Sequence, residues 1–353
     1  MRSQLLFALC LLAGVSALAQ ASAKSSPPLP KDPRALFAAA APFYDFSDPA
    51  LKPWHLKVSY QLYDDKGKPT EQGTFEYWWA SPKVYRVTLS RPGVSHTDWY
   101  TADGKHAYLS TGKGFSYFEY RLQSSFLSPL PDAGSLDSTD NQLVTQNVKV
   151  GKVKLPCIMV APKMSQYKQT QKVPLGLFPT YCFDQNAPAL RFSYSFGTIT
   201  EIFNSIAKVQ GRYLPKDIAI LDGKRELLSA KLELVEGLAS SDPAFTPDPH
   251  KVYVNIASVK TSAKTAAGWL VKTVTPIYPQ DAKDAHVSGT VVLNAVIGRD
   301  GRVHELQVVE TPWPSLAASA MSAVSRWEYK PYLLNGEPVE VHAKINVIYH
   351  LRY

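Results

Sequence analysis

The sequence predicts an α+β chain: a large antiparallel β-rich domain followed by a small module of order strand, strand, helix, strand. Three observations predict this. Apolar residues alternate with period two along most of the chain, the mark of strands with one buried face. Asp-Gly and Asn-Gly pairs, which favour tight hairpin turns, separate several of these runs. The 353 residues also contain 27 Pro and 19 Gly, which argues for many strands and turns rather than long helices.

The chain opens with Arg2, an apolar run from Leu5 to Leu18, and small residues at Ala17, Ala19, Ala21 and Ala23. This pattern predicts a cleaved secretory signal over residues 1–23, with the mature chain starting between Gln20 and Lys24. The run is short for a membrane span, and no later stretch approaches the roughly 20 apolar residues that a span needs. Cys10 leaves with the signal. The two remaining cysteines, Cys157 and Cys182, predict a disulfide in an oxidising compartment; a nucleophile with a spare thiol is the alternative.

A β-rich domain is expected over residues 34–240. Arg34 to Tyr44 is Ala-rich and predicts a short helix. Trp54, Leu56, Val58, Tyr60 and Leu62 then alternate with polar residues, as do Phe75, Tyr77 and Trp79, and Tyr85, Val87 and Leu89. Trp99 and Tyr108 flank an Asp103-Gly104 turn, and a helix is expected from Glu119 to Leu127. Ala189 to Phe203 and Val209 to Ile220 read as strands, and Asp222-Gly223 turns the chain into Leu228, Ala230, Leu232 and Leu234.

Pro243, Pro247 and Pro249 mark residues 241–268 as a linker. In the module at 269–353, Val291, Leu293, Ala295 and Ile297 alternate, Asp300-Gly301 turns, and Val303 to Glu310 returns. Pro314 suits a first helical turn, and Leu316, Ala320, Ala323, Val324 and Trp327 recur at helical spacing. Pro331 stops that helix, Asn335-Gly336 turns, and Val339 to Tyr349 alternates again. This last strand would span about 36 Å at roughly 3.3 Å per residue. Exposed at a sheet edge it is a template for a partner's backbone, with Glu340, His342, Lys344 and Asn346 as candidate binding positions and its charges opposing self-pairing. A central or covered strand is the alternative.

The net charge of +8 invites a nucleic-acid reading until it is located. Trp269 to Tyr353 is neutral, with 8 basic and 8 acidic residues. Asn141 to Phe183 contains no acid and six lysines: Lys149, Lys152, Lys154, Lys163, Lys168 and Lys172. This basic loop, flanked by both cysteines, suits an anionic lipid or acidic partner, or is simply solvated; the lack of Arg argues against bidentate phosphate recognition. Export makes nucleic acid a poor partner.

No phosphate loop, H-E-x-x-H, C-x-x-C, G-x-S-x-G or EF-hand sequence occurs. The eight histidines are scattered, and His96 with Asp98 beside Ser95 reads as a solvated strand face rather than a catalytic pair. No catalytic residue, metal site or cofactor is expected.

Within the module, Pro276, Tyr278-Pro279, Ala282, Gly289-Thr290-Val291, Asp300-Gly301 with Val303, Leu316, Ala320, Trp327, Tyr329, Pro331, Asn335-Gly336 and Pro338-Val339 stand in an order and spacing that resembles the TonB C-terminal domain family. The resemblance implies a small sheet with a packed helix that binds outer-membrane receptors by pairing an extended receptor segment with a sheet edge. TonB proteins keep a membrane helix and a long Pro-rich stretch. Here a cleavable signal and a β domain stand in their place, so coupling to a proton gradient would fall to a partner, or the domain is reused.

The β-rich domain is similar to the LolA-like periplasmic lipoprotein-carrier half-barrel, in its helix followed by aromatic strands, in Tyr85-Arg86-Val87 after Ser81-Pro82, and in the Asp103-Gly104 turn before Tyr108. That resemblance implies a concave apolar face for acyl chains. Its candidates are Leu56, Val58, Tyr60, Phe75, Tyr77, Trp79, Tyr85 and Val87, which would equally form an ordinary β core. The expected function is therefore a non-enzymatic periplasmic envelope protein that binds a partner, such as a TonB-dependent outer-membrane receptor, by strand addition. The alternative is a carrier of an acyl chain or other apolar ligand.

Overall fold

The computed structural model describes residues 28–112, 114–139, 141–150, 152–162, 178–196, 199–248, 252–254 and 259–351. The expected signal over 1–23 and Lys163, Lys168 and Lys172 lie outside the described residues.

Asp32 caps α1 (Pro33–Ala40) by accepting from the Ala35 amide. Five strands follow: β1 (Trp54–Tyr63), β2 (Pro69–Ser81), β3 (Val84–Arg91), β4 (Val94–Tyr100) and β5 (His106–Thr111). Helix α2 (Tyr117–Leu127) starts two residues before the expected Glu119, because Ser116 and Glu119 form a reciprocal capping box. After the short α3 (Ala133–Asp137) come β6 (Asn141–Val150), β7 (Val153–Pro162), β8 (Thr180–Phe183), β9 (Leu190–Phe196), β10 (Ile199–Val209), β11 (Arg212–Asp222) and β12 (Arg225–Gly237).

Two sequence expectations change here. The single strand read from Ala189 to Phe203 is the hairpin β9–β10, with Phe196 opposite Ile199. The lysines Lys149, Lys152 and Lys154 belong to the hairpin β6–β7 rather than to a loop, because residues 141–150 pair with 153–162 throughout. Cys157 and Cys182 are disulfide-bonded and directly opposed between β7 and β8.

The region expected as a linker adds β13 (Val252–Val254), β14 (Val259–Thr261) and α4 (Ala263–Ala267). The module then runs β15 (Leu270–Lys272), α5 (Gln280–Asp284), β16 (Gly289–Ile297), β17 (Val303–Glu310), α6 (Pro314–Val324), β18 (Glu328–Tyr329), β19 (Leu333–Leu334), β20 (Glu337–Pro338) and β21 (Val341–Tyr349).

Among the described residues, thirteen strands form one open antiparallel sheet, ordered β13-β5-β4-β3-β2-β1-β12-β11-β10-β9-β8-β7-β6. A second sheet has the order β14-β21-β16-β17. The linker therefore contributes a strand to each sheet: β13 pairs with β5, and β14 lies parallel to β21.

Two amphipathic sheets each need cover for one face, and helices supply it. Helix α2 packs on β11 and β12 on one side and on β17 on the other, while α6 contacts β16, β17 and β9. Leu56, Val58, Phe75, Leu122 and Phe126 from the large sheet and α2 share one buried core with Leu293, Leu316 and Val324 of the module. The Tyr349 hydroxyl donates to the Leu316 carbonyl at 3.1 Å, fixing the end of β21 under α6.

The β16–β17 turn approaches its surroundings closely. Gly301 has φ +75°, its carbonyl accepts from the Tyr329 amide at 2.8 Å, and an added Cβ would lie 1.9 Å from the Tyr329 carbonyl oxygen. Gly301→Ala is therefore expected to cost about 1–3 kcal/mol through left-handed strain and displacement of β18. Urea denaturation compares the variant with the parent chain; unchanged stability would show that the turn tolerates a side chain.

Candidate functional site

Between the two sheets lies a cavity of about 1450 Å³. Its walls come from β2 to β5, α2, and the β16–β17 hairpin of the module. Two half-buried carboxylate networks border it, and a third anchors the helix that forms part of its wall.

The first is centred on Asp98. Being two apart on β4, His96 and Asp98 share a face, and β5 brings His106 opposite Tyr100 on the neighbouring strand. His96 Nε2 donates to Asp98 Oδ2 at 2.6 Å and His106 Nε2 donates to Oδ1 at 2.5 Å. From the module, Arg299 donates to His106 Nδ1 at 3.0 Å and stands 4.7 Å over the Tyr108 ring. A guanidinium only donates, so His106 Nδ1 accepts and its proton sits on Nε2.

The second network holds Asp300 at the turn of the β16–β17 hairpin. It accepts from the Tyr120 hydroxyl of α2 at 2.6 Å and from His304 Nε2 at 3.1 Å. The Gly114 backbone passes so close that a Cβ there would fall 2.1 Å from Asp300 Oδ2.

The third anchors α2 itself. Glu119, 1% exposed, accepts from the Tyr60 hydroxyl at 2.8 Å, from Arg91 Nε at 3.1 Å and from the Ser116 amide at 2.7 Å. Two residues on, Arg121 Nε donates to Glu201 at 2.7 Å, and Ser125 and Ser195 complete the shell of that carboxylate. Both carboxylates are buried but paired and hydrogen-bonded.

Burial alone would raise the Asp98 carboxyl, but the two imidazoles override it and hold the group well below the usual carboxylate range. Burial alone would lower His96, and the Asp98 charge and hydrogen bond reverse that, leaving His96 raised. Asp300 is held low by its His304 and Tyr120 donors despite burial. Each imidazole in the cavity wall is thus engaged by a carboxylate, and no hydroxyl or thiol bonds to any of them among the described residues. No cluster of three His, Cys, Asp or Glu able to hold a metal ion occurs among the described residues. The arrangement clamps the hairpin of one sheet against the strands of the other.

The expected apolar face divides. Leu56, Val58, Tyr60, Phe75, Tyr77 and Trp79 are buried in the core, and Tyr85 and Val87 pack against it partly exposed. Of these eight only Phe75 and Val87 reach the cavity wall, where Leu89 and Tyr100 join them. The reason is α2 and α1, whose Leu122, Phe126, Leu36 and Phe37 join those residues in the buried core.

The expected edge strand also divides, and its start is corrected. Strand β21 begins at Val341, and β14 covers it from Val341 to Ala343, so the open edge is shorter than Val339 to Tyr349. The Val259 amide donates to the Glu340 carbonyl at 3.0 Å, so even-numbered residues turn their backbone groups away from β16. Glu340 and His342 face β14, whose last paired position, Thr261 opposite Ala343, also takes the Lys344 amide, while the Lys344 carbonyl and the backbone groups of Asn346 and Ile348 turn outward, where no strand pairs with them among the described residues. The Lys344 and Asn346 side chains are exposed, and Glu340 pairs with His342 at 3.2 Å.

Sequence reasoning found the Asp300-Gly301 turn, but it read His96 and Asp98 as a solvated strand face; they are instead hydrogen-bonded to each other and half-buried in the wall of the cavity that Asp300 also borders, because the module's hairpin packs over them. His106, Arg299 and Tyr120 carried no local signal: Arg299 meets His106 across 193 residues of chain.

Residues 274–351 match the family model of the Gram-negative bacterial TonB protein C-terminal. The N-terminal unit lies outside that match. No curated protein matches the chain. Among solved structures, a DUF1329 family protein from Desulfovibrio piger is similar at 11% identity, covering 61% of this chain and 96% of that one, with a TM-score of 0.38. A LolA superfamily protein from Nitrosomonas europaea is similar at 10% identity, covering 61% of this chain and 97% of that one, with a TM-score of 0.33.

The pH dependence of the clamp follows from the two shifts. The depressed Asp98 contributes stability above its ordinary value near about 4, lost as pH falls through its lower folded value. The raised His96 contributes below about 6.5, and that contribution is lost as pH rises through its folded value. The network is therefore strongest between these limits. Asp98→Asn is expected to lower unfolding free energy by about 2–4 kcal/mol near pH 6 and by less near pH 9. Urea denaturation at both pH values tests this, and an equal loss at both would exclude a protonated His96.

Proposed function

We propose that this chain is a non-enzymatic periplasmic envelope protein whose C-terminal module binds an extended segment of a partner by β-strand addition. The observation that carries this reading is the outward backbone edge of β21 from the Lys344 carbonyl through Asn346 and Ile348, within the segment that matches the TonB C-terminal family. Lys344 to Tyr349 offers roughly 20 Å of edge, enough for a six-residue partner strand. Ile348, 60% exposed, gives that strand an apolar neighbour on the open face. The partner that fits is outer-membrane transport machinery, such as a TonB-dependent receptor. Glu340 and His342 become available only where β14 yields. No helix among the described residues is long and apolar enough to cross a membrane.

Asn346→Pro tests the proposal because it deletes an outward N–H that neither β16 nor β14 uses. A photo-crosslinker at Lys344 is expected to capture an outer-membrane receptor in the parent chain, identified by mass spectrometry, and to lose it in Asn346→Pro. Undiminished capture of the same receptor would sink strand addition at this edge.

One observation favours a second reading, a carrier of an acyl chain or other apolar ligand in the β domain. The cavity reaches Phe75, Val87, Leu89 and Tyr100 on the inner face of the large sheet. Solvent extraction of natively purified protein is expected to release a stoichiometric lipid on this reading; an empty extract removes it.

A further inference from the structure

The β6–β7 hairpin carries a feature that neither reading uses. Val150 and Val153 are direct cross-strand partners at its tip, and they are 38% and 44% exposed. They extend an apolar row whose inner members, Val148 and Leu155, pack with the disulfide-bonded Cys157 and Cys182. The row is covered near the disulfide and runs out of cover at the tip.

Lys149 and Lys154 are also direct cross-strand partners, on the opposite face of the hairpin, and Lys152 lies next to the tip. Like charges placed opposite each other weaken a ladder unless a counter-charge is at hand. None of the three has an acidic partner among the described residues, and all three are exposed. The sequence supplies no acid anywhere from Asn141 to Phe183.

We propose that this hairpin tip is a membrane-surface anchor that inserts Val150 and Val153 at the headgroup boundary of an anionic phospholipid layer. Lys149, Lys152 and Lys154 then meet the headgroups, their apolar stems lying along the boundary and their ammonium groups reaching water. An apolar pair at the extreme of a projecting hairpin suits a soft lipid surface. Lysine without arginine suits a diffuse anionic surface rather than one fixed phosphate. The disulfide at the base of the hairpin ties β7 to β8, so the tip is presented on a cross-linked support.

The test is sedimentation of the mature full-length protein with sucrose-loaded vesicles of phosphatidylcholine alone or of phosphatidylcholine with phosphatidylglycerol. The parent chain is expected to partition onto the second and to be released by salt. Lys149→Gln/Lys152→Gln/Lys154→Gln should weaken partitioning by roughly 100-fold, about fivefold for each lysine lost near a charged surface. Val150→Ser/Val153→Ser should weaken it severalfold at high salt, where the lysines are screened. Circular dichroism and thiol titration confirm that each variant keeps its sheet and its disulfide, and the single variant Lys152→Glu serves if the triple variant does not fold. Equal partitioning onto both vesicle types overturns the anchor. So does a lysine variant that partitions like the parent chain, or a valine variant that keeps full vesicle binding. Binding of soluble polyglutamate as tight as vesicle binding, insensitive to the valines, would point instead to an acidic protein partner and equally overturn it.

Discussion

Three consecutive residues of α2 tie the molecule together. Glu119 is held by Tyr60 and Arg91 of the large sheet, Tyr120 reaches Asp300 of the module, and Arg121 pairs with Glu201 of β10. A helix packed between two sheets has little solvent-facing surface on which to leave charges. Every polar group that it carries inward must therefore meet a partner from one sheet or the other. The capping box at Ser116 sets where the helix begins, and that start rotates the three residues toward their separate partners.

This constraint explains why the space between the sheets is polar at one end and apolar at the other. Near Phe126, which stacks loosely with Phe75 at 6.4 Å, the layers meet through a hydrophobic core. Near Asp98 and Asp300 they meet through shared carboxylates, with aromatic rings stacked behind them: Tyr100 on His106 at 4.5 Å and Tyr85 on Tyr100 at 4.2 Å. Buried ion pairs add modest net stability but penalise any misalignment that leaves one charge alone. Any docking of the module on the large sheet that left Asp98, Asp300 or one of their partners alone would carry that penalty.

That docking uses one face of the module and spares its far edge. Strand β17 is turned toward α2, whereas β21 lies on the opposite side of β16, with only the three residues of β14 beside it. Parallel pairing over three residues is a weak hold compared with the nine paired positions that β21 makes with β16. The same chain thus buries half of its small sheet for assembly and leaves the other half open to recognition.

Much of this was legible in local pattern. Period-two alternation located β1, β2, β3, β16 and β21, Asp300-Gly301 marked the β16–β17 turn and Asn335-Gly336 the β19–β20 turn, and helical spacing with Pro314 located α6. Cys157 and Cys182 were paired by their even count and supported by their register. The hairpin turn at Gln210-Gly211, where both residues take positive φ, escaped notice because Gln seldom marks such a turn. What escaped altogether was long-range. That β1 pairs with β12, that α2 faces two sheets, that β14 covers the start of β21, and that Arg299 meets His106 all depend on which distant segments close on one another. The sequence by itself determined the elements, since turn chemistry and side-chain period act within a few residues. Only the tertiary structure decided the cavity, the clamp and the open edge, because each is formed by contacts between segments whose own residues carry no sign of the partner.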